Sequence, residues 1–214
     1  MLEAQSVIYL LDDEESIVVS LGRMLRAAGF AVRGFTSAVE FLAAHDPTVS
    51  GCLVADVRMP GMSGLELQRA LQTRGIDRSI VFITGRGDIA TTVQAMKAGA
   101  VTFLPKPVQR VELIAAVREA IGKDAETRAQ HREQQEISRR LASLTPRERQ
   151  VLDLVATGML NKQIAAELGA AEKTIKVHRG RIMGKMQVRT ATALVGLLSR
   201  VEAAPGQTRS PATR

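Results

Sequence analysis

Five side chains suited to phosphoryl chemistry follow short apolar segments of the sequence. Asp12 and Asp13 follow the first segment, and Asp56, Thr84 and Lys106 follow the third, fourth and fifth. Three carboxylates make an oxygen-rich acidic pocket that suits Mg²⁺, and a carboxylate is also a nucleophile toward phosphorus. A hydroxyl donor and an amine offset the charge on the oxygens of a transferred phosphoryl group. The residue types therefore predict a magnesium site for phosphoryl transfer.

The apolar segments before these residues have the length and composition of buried strands. Near-continuous apolarity over so few residues is typical of strands covered on both faces. Amphipathic helical patterns lie between them, and five strand-helix repeats in about 120 residues predict a doubly wound parallel α/β domain. The carboxyl edge of such a sheet would bring the five side chains together. The predicted strands occupy 6–11, 31–35, 51–55, 79–84 and 101–105.

Helices alone are predicted after residue 144. Thr145 and Glu148 have the spacing of a capping box around Pro146, which predicts a helix start. Two short helices joined by a tight turn at Gly169 are typical of a helix-turn-helix. The four predicted helices run from Thr145 to about Ala156 and over 161–168, 172–186 and 190–199.

The chain is thus predicted to have two domains and two connecting or terminal segments. The segment 122–143 is polar and rich in helix formers, which favours a helical linker that continues the fifth helix, with disorder as the alternative. The small polar segment at the end is expected to be disordered. The predicted parts are an α/β domain at 1–121, the linker at 122–143, an all-α domain at 144–200 and the tail at 201–214.

Charge separates the two domains. Residues 144–214 hold 12 of the 29 Lys and Arg but 5 of the 22 Asp and Glu, so their net charge equals the +7 of the whole chain. Such asymmetry is expected when one part of a chain faces nucleic acid. The single cysteine, Cys52, excludes an intrachain disulfide framework, and with three histidines it leaves no zinc cluster. Cys52 is expected to be a buried apolar thiol, and His45 to lie in a loop.

The sequence carries no sign of membrane insertion or export. No apolar stretch reaches the roughly 18 residues of a membrane span. The first residues include an acidic cluster where a secretory signal would have a positive region and a cleavage site. We therefore expect a cytoplasmic protein without membrane partners.

Residues 5 to about 121 resemble a receiver domain of a two-component response regulator. The resemblance rests on an ordered set of motifs: Asp12-Asp13, the segment 56–64, Thr84-Gly85, the segment 97–100 and Lys106-Pro107. Each motif alone is weak, but the ordered set is specific. It implies a flavodoxin-like fold with a cis peptide at Lys106-Pro107.

The resemblance also implies roles for the site residues. Asp56 would accept a phosphoryl group from a histidine kinase. Asp12, Asp13 and the backbone carbonyl of Arg58 would complete the Mg²⁺ site, in which Mn²⁺ could substitute. Thr84 and Lys106 would contact the phosphoryl oxygens, and Phe103 matches the aromatic switch position of the family.

Residues 144–200 resemble the LuxR-type helix-turn-helix through the segments 144–148, 161–165 and 174–179, and the whole chain resembles a NarL/FixJ-type regulator. Lys176 and Arg179 are i, i+3 neighbours where a recognition helix reads bases, and Val177 could touch a thymine methyl. Lys162 and Arg181 suit phosphates, and Thr174 completes the predicted DNA-binding set.

Two further features of this domain follow from helix patterns. Ile164, Leu168, Ile175 and Ile182 are predicted to form its core, and Lys173 and Lys185 to remain outside with the DNA-facing cations. Relatives usually carry a β-branched residue and serine where this chain has Ala170 and Ala171. A hydroxyl cap is therefore expected to be missing from the recognition helix, which costs about 0.5 to 2 kcal/mol.

These features predict a phosphorylation-controlled transcription factor, not an enzyme beyond its own phosphorylation and dephosphorylation. Phosphorylation would promote homodimerisation and promoter binding, and we expect activation of transcription with RNA polymerase as a partner. A phosphatase with an aspartate nucleophile is one alternative, although such enzymes usually carry D-x-D after the first strand. A receiver that acts without phosphate, as a protein-interaction module, is another.

Overall fold

The structure is a computed structural model that describes residues 6–85 and 89–202, without the side chains of 89–91 and 201–202. It divides into two compact units, Met1–Ala129 and Gln130–Arg214.

The first unit is built on a parallel five-stranded sheet in the order β2-β1-β3-β4-β5. This is the doubly wound topology that the sequence predicts, and each strand lies within one residue of its predicted limits. The strands are β1 (Val7–Leu11), β2 (Ala31–Phe35), β3 (Gly51–Asp56), β4 (Ser79–Thr84) and β5 (Thr102–Pro105). The helices that alternate with them are α1 (Glu15–Ala27), α2 (Ala38–Ala44), α3 (Gly64–Thr73), α4 (Ile89–Lys97) and α5 (Arg110–Ala142).

The two faces of this sheet carry separate hydrophobic cores. Ile8, Leu10 and Val54 belong to the core that includes α1 and α5, whereas Tyr9 and Leu53 belong to the one that includes α2 and α3. Alternation along each strand sends successive side chains to opposite faces, and helices cover both, so β3 is buried throughout its length. Cys52 lies fully buried in the first core, as predicted.

A close backbone approach fixes the loop that follows β3. A Cβ atom on Gly64 would lie 2.3 Å from the carbonyl oxygen of Asp56 and 2.9 Å from Phe82, so only glycine fits there. The amide of Gly64 donates to the carbonyl of Val57 at 3.0 Å. Ser63 and Glu66 then form a capping box at the start of α3. The loop after Asp56 therefore packs against the end of β3.

Helix α5 continues well beyond the first unit's last strand-helix repeat. It runs without interruption to Ala142 and so covers almost all of the predicted linker at 122–143. The boundary between the two compact units falls inside this helix, after Ala129. The predicted linker is therefore helical, and its two halves belong to different units because each half contacts its own unit.

The second unit is helical and has its own core. After the last turns of α5 it contains α6 (Pro146–Ala156), α7 (Asn161–Glu167), α8 (Glu172–Met186) and α9 (Ala191–Glu202), close to the predicted limits. The Thr145 capping box is present with both of its hydrogen bonds. The predicted core residues Ile164, Ile175 and Ile182 are buried with Ile137 of α5.

Helix α9 extends two residues into the predicted tail at 201–214, and the rest of that segment lies outside the described residues. Within the part of the chain that the structure describes, no helix is both long enough and apolar enough to cross a membrane.

Candidate functional site

The carboxyl edge of the sheet brings the predicted acidic residues together. Asp12 directly follows β1 and Asp56 ends β3, and parallel pairing of these strands places both at the same edge. Carboxylate oxygens of Asp12, Asp13 and Asp56 all lie within 4.8 Å of one another. Asp12 and Asp56 are buried, whereas Asp13 is exposed. The pocket is therefore open on the side of Asp13.

Lys106 supplies the positive charge in this pocket. Its Nζ lies 2.7 Å from Asp12 Oδ2 and 3.0 Å from Asp56 Oδ2. Burial lowers the pKa of Lys106, but the hydrogen bonds and charges of the two aspartates outweigh this, and the net pKa is raised. Lys106 is therefore a permanent cation that bridges two carboxylates.

The donor set of the pocket fits a divalent cation such as Mg²⁺. The remaining oxygens of the buried carboxylates are oriented by the backbone: Asp12 Oδ1 accepts from the amide of Glu14 at 3.0 Å, and Asp56 Oδ1 accepts from that of Arg58 at 3.4 Å. Three acidic oxygen donors at the ends of neighbouring strands are the ligands that Mg²⁺ prefers. Asp12, Asp13 and Asp56 would hold the ion, and the carbonyl of Arg58 stays a predicted ligand.

The two predicted switch residues lie on neighbouring strands. Thr84 is buried at the end of β4, where its carbonyl accepts from the Lys106 amide at 2.8 Å. Phe103 is half-buried on β5 and lies opposite Phe82 of β4, with ring centroids 5.2 Å apart. The predicted cis peptide at Lys106-Pro107 is present. Thr84 therefore lies at the pocket edge, and Phe103 lies on the neighbouring strand, opposite Phe82.

The second unit presents its predicted DNA-binding residues on α7 and α8. Ile175 and Ile182 anchor α8 in the core, which leaves most of the remaining positions accessible. Arg179 is half-buried. The other five predicted residues are exposed: Lys162, Thr174, Lys176, Val177 and Arg181. The N-cap of α8 is Ala171 and makes no side-chain hydrogen bond, which confirms the missing cap.

Lys185 lies outside the apolar core, as predicted, with its side chain 35% exposed, but it is paired within the fold and so differs from these cations. Its Nζ donates to Glu148 Oε2 at 2.7 Å and to the carbonyl of Ser143 at 2.9 Å. Glu148, whose side chain is 3% exposed, also accepts from the amide of Thr145. The bond from Lys185, followed by that from Thr145, lowers the pKa of Glu148 to about 2. Lys185 therefore stabilises the fold by tying the end of α8 to the start of α6.

Sequence reasoning also missed a buried charged cluster at the opposite, amino edge of the sheet. His45, expected in a loop, is half-buried, and its ring packs against Tyr9 and Phe41 with centroids 5.4 and 5.0 Å apart. Its Nε2 faces the guanidinium of Arg78 at 2.8 Å. No short motif predicts this contact, because the two residues are 33 positions apart.

Comparison with known protein families assigns both units. Residues 8–118 match the response regulator receiver domain, and residues 142–198 match the luxR family of bacterial regulatory proteins. A receiver followed by a LuxR-type helix-turn-helix defines a DNA-binding response regulator of a two-component system.

Individual relatives show which family of response regulators the chain belongs to. The chain is 41% identical to the transcriptional regulatory protein FixJ of Azorhizobium caulinodans over 95% of this chain and 97% of that protein. It is 44% identical to nodulation protein W of Bradyrhizobium diazoefficiens over 89% and 84%. The solved structure of response regulator StyR matches 92% of this chain and all of its own, with a TM-score of 0.81 and 47% identity. The chain belongs to the NarL/FixJ-type family of transcriptional response regulators, as the sequence resemblance implies.

Proposed function

We propose that Asp56 is the phosphoacceptor of this regulator and that its phosphorylation controls DNA binding. The observation that carries the proposal is the placement of Asp56 in a three-carboxylate pocket with Lys106 Nζ 3.0 Å away. A carboxylate oxygen of Asp56 would attack the phosphorus of a phosphohistidine on the partner kinase. The P–O bond to Asp56 forms as the P–N bond breaks, and the histidine ring leaves with the electron pair.

The surrounding residues stabilise this transfer. Lys106, held as a cation between Asp12 and Asp56, offsets negative charge on the phosphoryl oxygens. Thr84 supplies the hydroxyl donor. A bound Mg²⁺, or Mn²⁺ with the same preference for oxygen ligands, supplies the remaining positive charge. Dephosphorylation by water at the same pocket would return the regulator to its starting state.

The switch would run from the pocket to β5. The phosphoryl group draws Thr84 and Lys106 inward, and Phe103 rotates into the space that Thr84 leaves. This changes the surface around α4 and α5, where a second copy of the chain would pair. Paired copies of the domain at 144–200 would bind two half-sites in a promoter.

On DNA, the exposed residues of α8 would carry the recognition. Lys176, Val177 and Arg179 would read base edges in the major groove, whereas Lys162, Thr174 and Arg181 would contact phosphates. The relative named FixJ is described as a transcriptional regulatory protein. We propose that this chain activates transcription together with RNA polymerase. It would act in the cytoplasm, where both the kinase and the promoter are accessible to it.

Treatment with acetyl phosphate and Mg²⁺ tests the phosphoacceptor. The wild-type chain should gain one labile phosphoryl group and dimerise, whereas Asp56→Asn should do neither. Asp153→Asn, an exposed acidic position in the second unit, serves as the matched control. Catalytic release of phosphate would favour the phosphatase alternative, and absence of an adduct would favour the phosphate-independent module.

A second variant tests the switch. Thr84→Ala should still be phosphorylated on Asp56 but fail to dimerise, because the variant lacks the hydroxyl that would move toward the phosphoryl group. Size-exclusion chromatography with light scattering measures the outcome. Normal dimerisation of this variant would remove Thr84 from the switch.

A further inference from the structure

Three charged side chains converge at the amino edge of the receiver sheet, away from the acidic pocket. Arg78 directly precedes β4, and Asp124 and Arg128 lie one turn apart on α5. The side chains of Arg78 and Asp124 are 0% and 1% exposed, and that of Arg128 is 23% exposed. All three face the loop 45–51, which connects α2 to β3 and ends on the first residue of that strand.

Arg78 binds this loop from the sheet side. Its guanidinium donates to the carbonyls of Val49 at 2.9 Å, Gly51 at 3.1 Å and Asp46 at 3.2 Å. The Nε and Nη2 atoms lie 3.1 and 2.8 Å from His45 Nε2, which is the acceptor. A buried guanidinium is thus satisfied almost entirely by neutral acceptors.

Asp124 and Arg128 bind the same loop from α5. Arg128 donates to the carbonyls of Pro47 at 2.7 Å, Thr48 at 3.0 Å and Val49 at 2.7 Å, and to Asp124 Oδ2 at 2.8 Å. Asp124 Oδ2 also accepts from the amide of Gly51 at 3.0 Å. Asp124 Oδ1 lies 3.7 Å from Arg78 and supplies the countercharge for both arginines.

These contacts matter because, among the described residues, α5 buries no apolar side chain between Ile121 and Ile137. After Ile121 the helix passes through Gly122 and a polar, mostly exposed stretch that reaches Glu136. A short polar helix is marginal in water unless it packs against something. Its next buried apolar residue, Ile137, belongs to the core of the second unit.

We propose that Arg78, Asp124 and Arg128 form a linker clamp that attaches α5 to the loop 45–51 and keeps it helical where it leaves the receiver. The clamp makes the helix a rigid continuation of the receiver, so that a change in the receiver moves the helix as a body. The proposed movement of the helix with the receiver rests on the proposed function, because it requires that phosphorylation controls DNA binding.

Hydrogen exchange on the unphosphorylated full chain tests the clamp itself. Arg128→Ala removes the three carbonyl contacts, and amides over 122–132 should exchange about tenfold faster or more. Arg132→Ala, an exposed arginine one turn further along α5, is the matched control and should leave exchange unchanged. Arg128→Lys keeps the charge beside Asp124 but loses the planar fork, so intermediate exchange is expected even if the alanine variant folds poorly. Wild-type exchange rates in both Arg128 variants would overturn the clamp.

DNA binding with and without acetyl phosphate tests the coupling. In the Arg128 variants Asp56 should be phosphorylated to the wild-type extent, while the gain in promoter affinity on phosphorylation should fall about fivefold or more. An unchanged gain would overturn the coupling. If the wild-type chain itself shows no gain, the proposed function fails, and the clamp is still decided by the exchange experiment.

Discussion

Lys106→Met should destabilise the receiver in the absence of metal and make its stability depend more strongly on Mg²⁺. The variant keeps the length of the side chain but leaves Asp12 and Asp56 without the cation that lies 2.7 and 3.0 Å from them. At the effective dielectric of about 20 found near protein surfaces, opposite charges about 3 Å apart attract by roughly 5 kcal/mol. Desolvation of the groups offsets part of this, so we expect a net loss of about 2 to 3 kcal/mol.

Calorimetry of the full chain measures this loss, because a compact unit with its own hydrophobic cores is expected to give its own unfolding transition. In EDTA the Tm of that transition should fall by roughly 6 to 15 °C. Mg²⁺ should then raise the Tm of the variant more than that of the wild type, since the ion replaces the missing charge. Lys97→Met, at an exposed position in the same unit, is the control. Equal Tm values in EDTA, or an equal response to Mg²⁺, would refute the assignment of Lys106 as the countercharge of the pocket.

Three further predictions concern the DNA-binding unit. Because the pKa of Glu148 falls from 4.5 to about 2 on folding, its stabilising effect should be complete above pH 4.5 and disappear as the pH falls toward 2. Thermal unfolding measured as a function of pH should show this loss of stability, and Glu148→Gln should flatten the dependence of stability on pH. A fragment 130–214 should be more stable in urea than 144–214 by about 2 to 4 kcal/mol, because the shorter one lacks the buried Ile137. Lys176→Ala should cost about 1 to 3 kcal/mol on the cognate site and relax base preference, while Lys162→Ala weakens all sequences alike.

Each of these has a result that contradicts it. An unchanged pH profile in Glu148→Gln would place the acid sensitivity elsewhere in the unit. Equal stability of the two fragments would remove the last turns of α5 from the DNA-binding unit. Equal, sequence-independent losses in the two lysine variants would show that Lys176 contacts only phosphate, and specificity would have to come from Val177, Arg179 or DNA shape.

The sheet and its acidic edge could be predicted from the sequence because each depends on local patterns. Strand limits follow from short apolar segments, and parallel order then brings Asp12, Asp56 and Lys106 to one edge. The Thr145 capping box could also be predicted from the sequence, since both of its residues lie within one helical turn.

Contacts between distant parts of the chain could not be predicted in the same way. The partners of Lys185 lie 37 and 42 positions away, and Arg128 meets Thr48 across 80 positions. On a helical pattern each of these residues looks like an ordinary solvated cation. Only the folded chain shows that Lys185 neutralises a buried carboxylate and that Arg128 satisfies backbone carbonyls.

The pairing of Lys185 with Glu148 also limits the number of counterions that the protein releases from DNA when it binds. Among the basic residues of the predicted set, Lys162 and Arg181 are the proposed phosphate contacts, and Lys176 and Arg179 are the proposed base readers. Each phosphate neutralised lowers log K by about 0.9 for every log unit of salt, so the two proposed cationic phosphate contacts correspond to a slope near −2 for one unit and near −4 for a pair. A slope steeper by about one per unit would mean that Lys185 leaves Glu148 for a phosphate, and the fold of the unit would then loosen on the DNA that it binds.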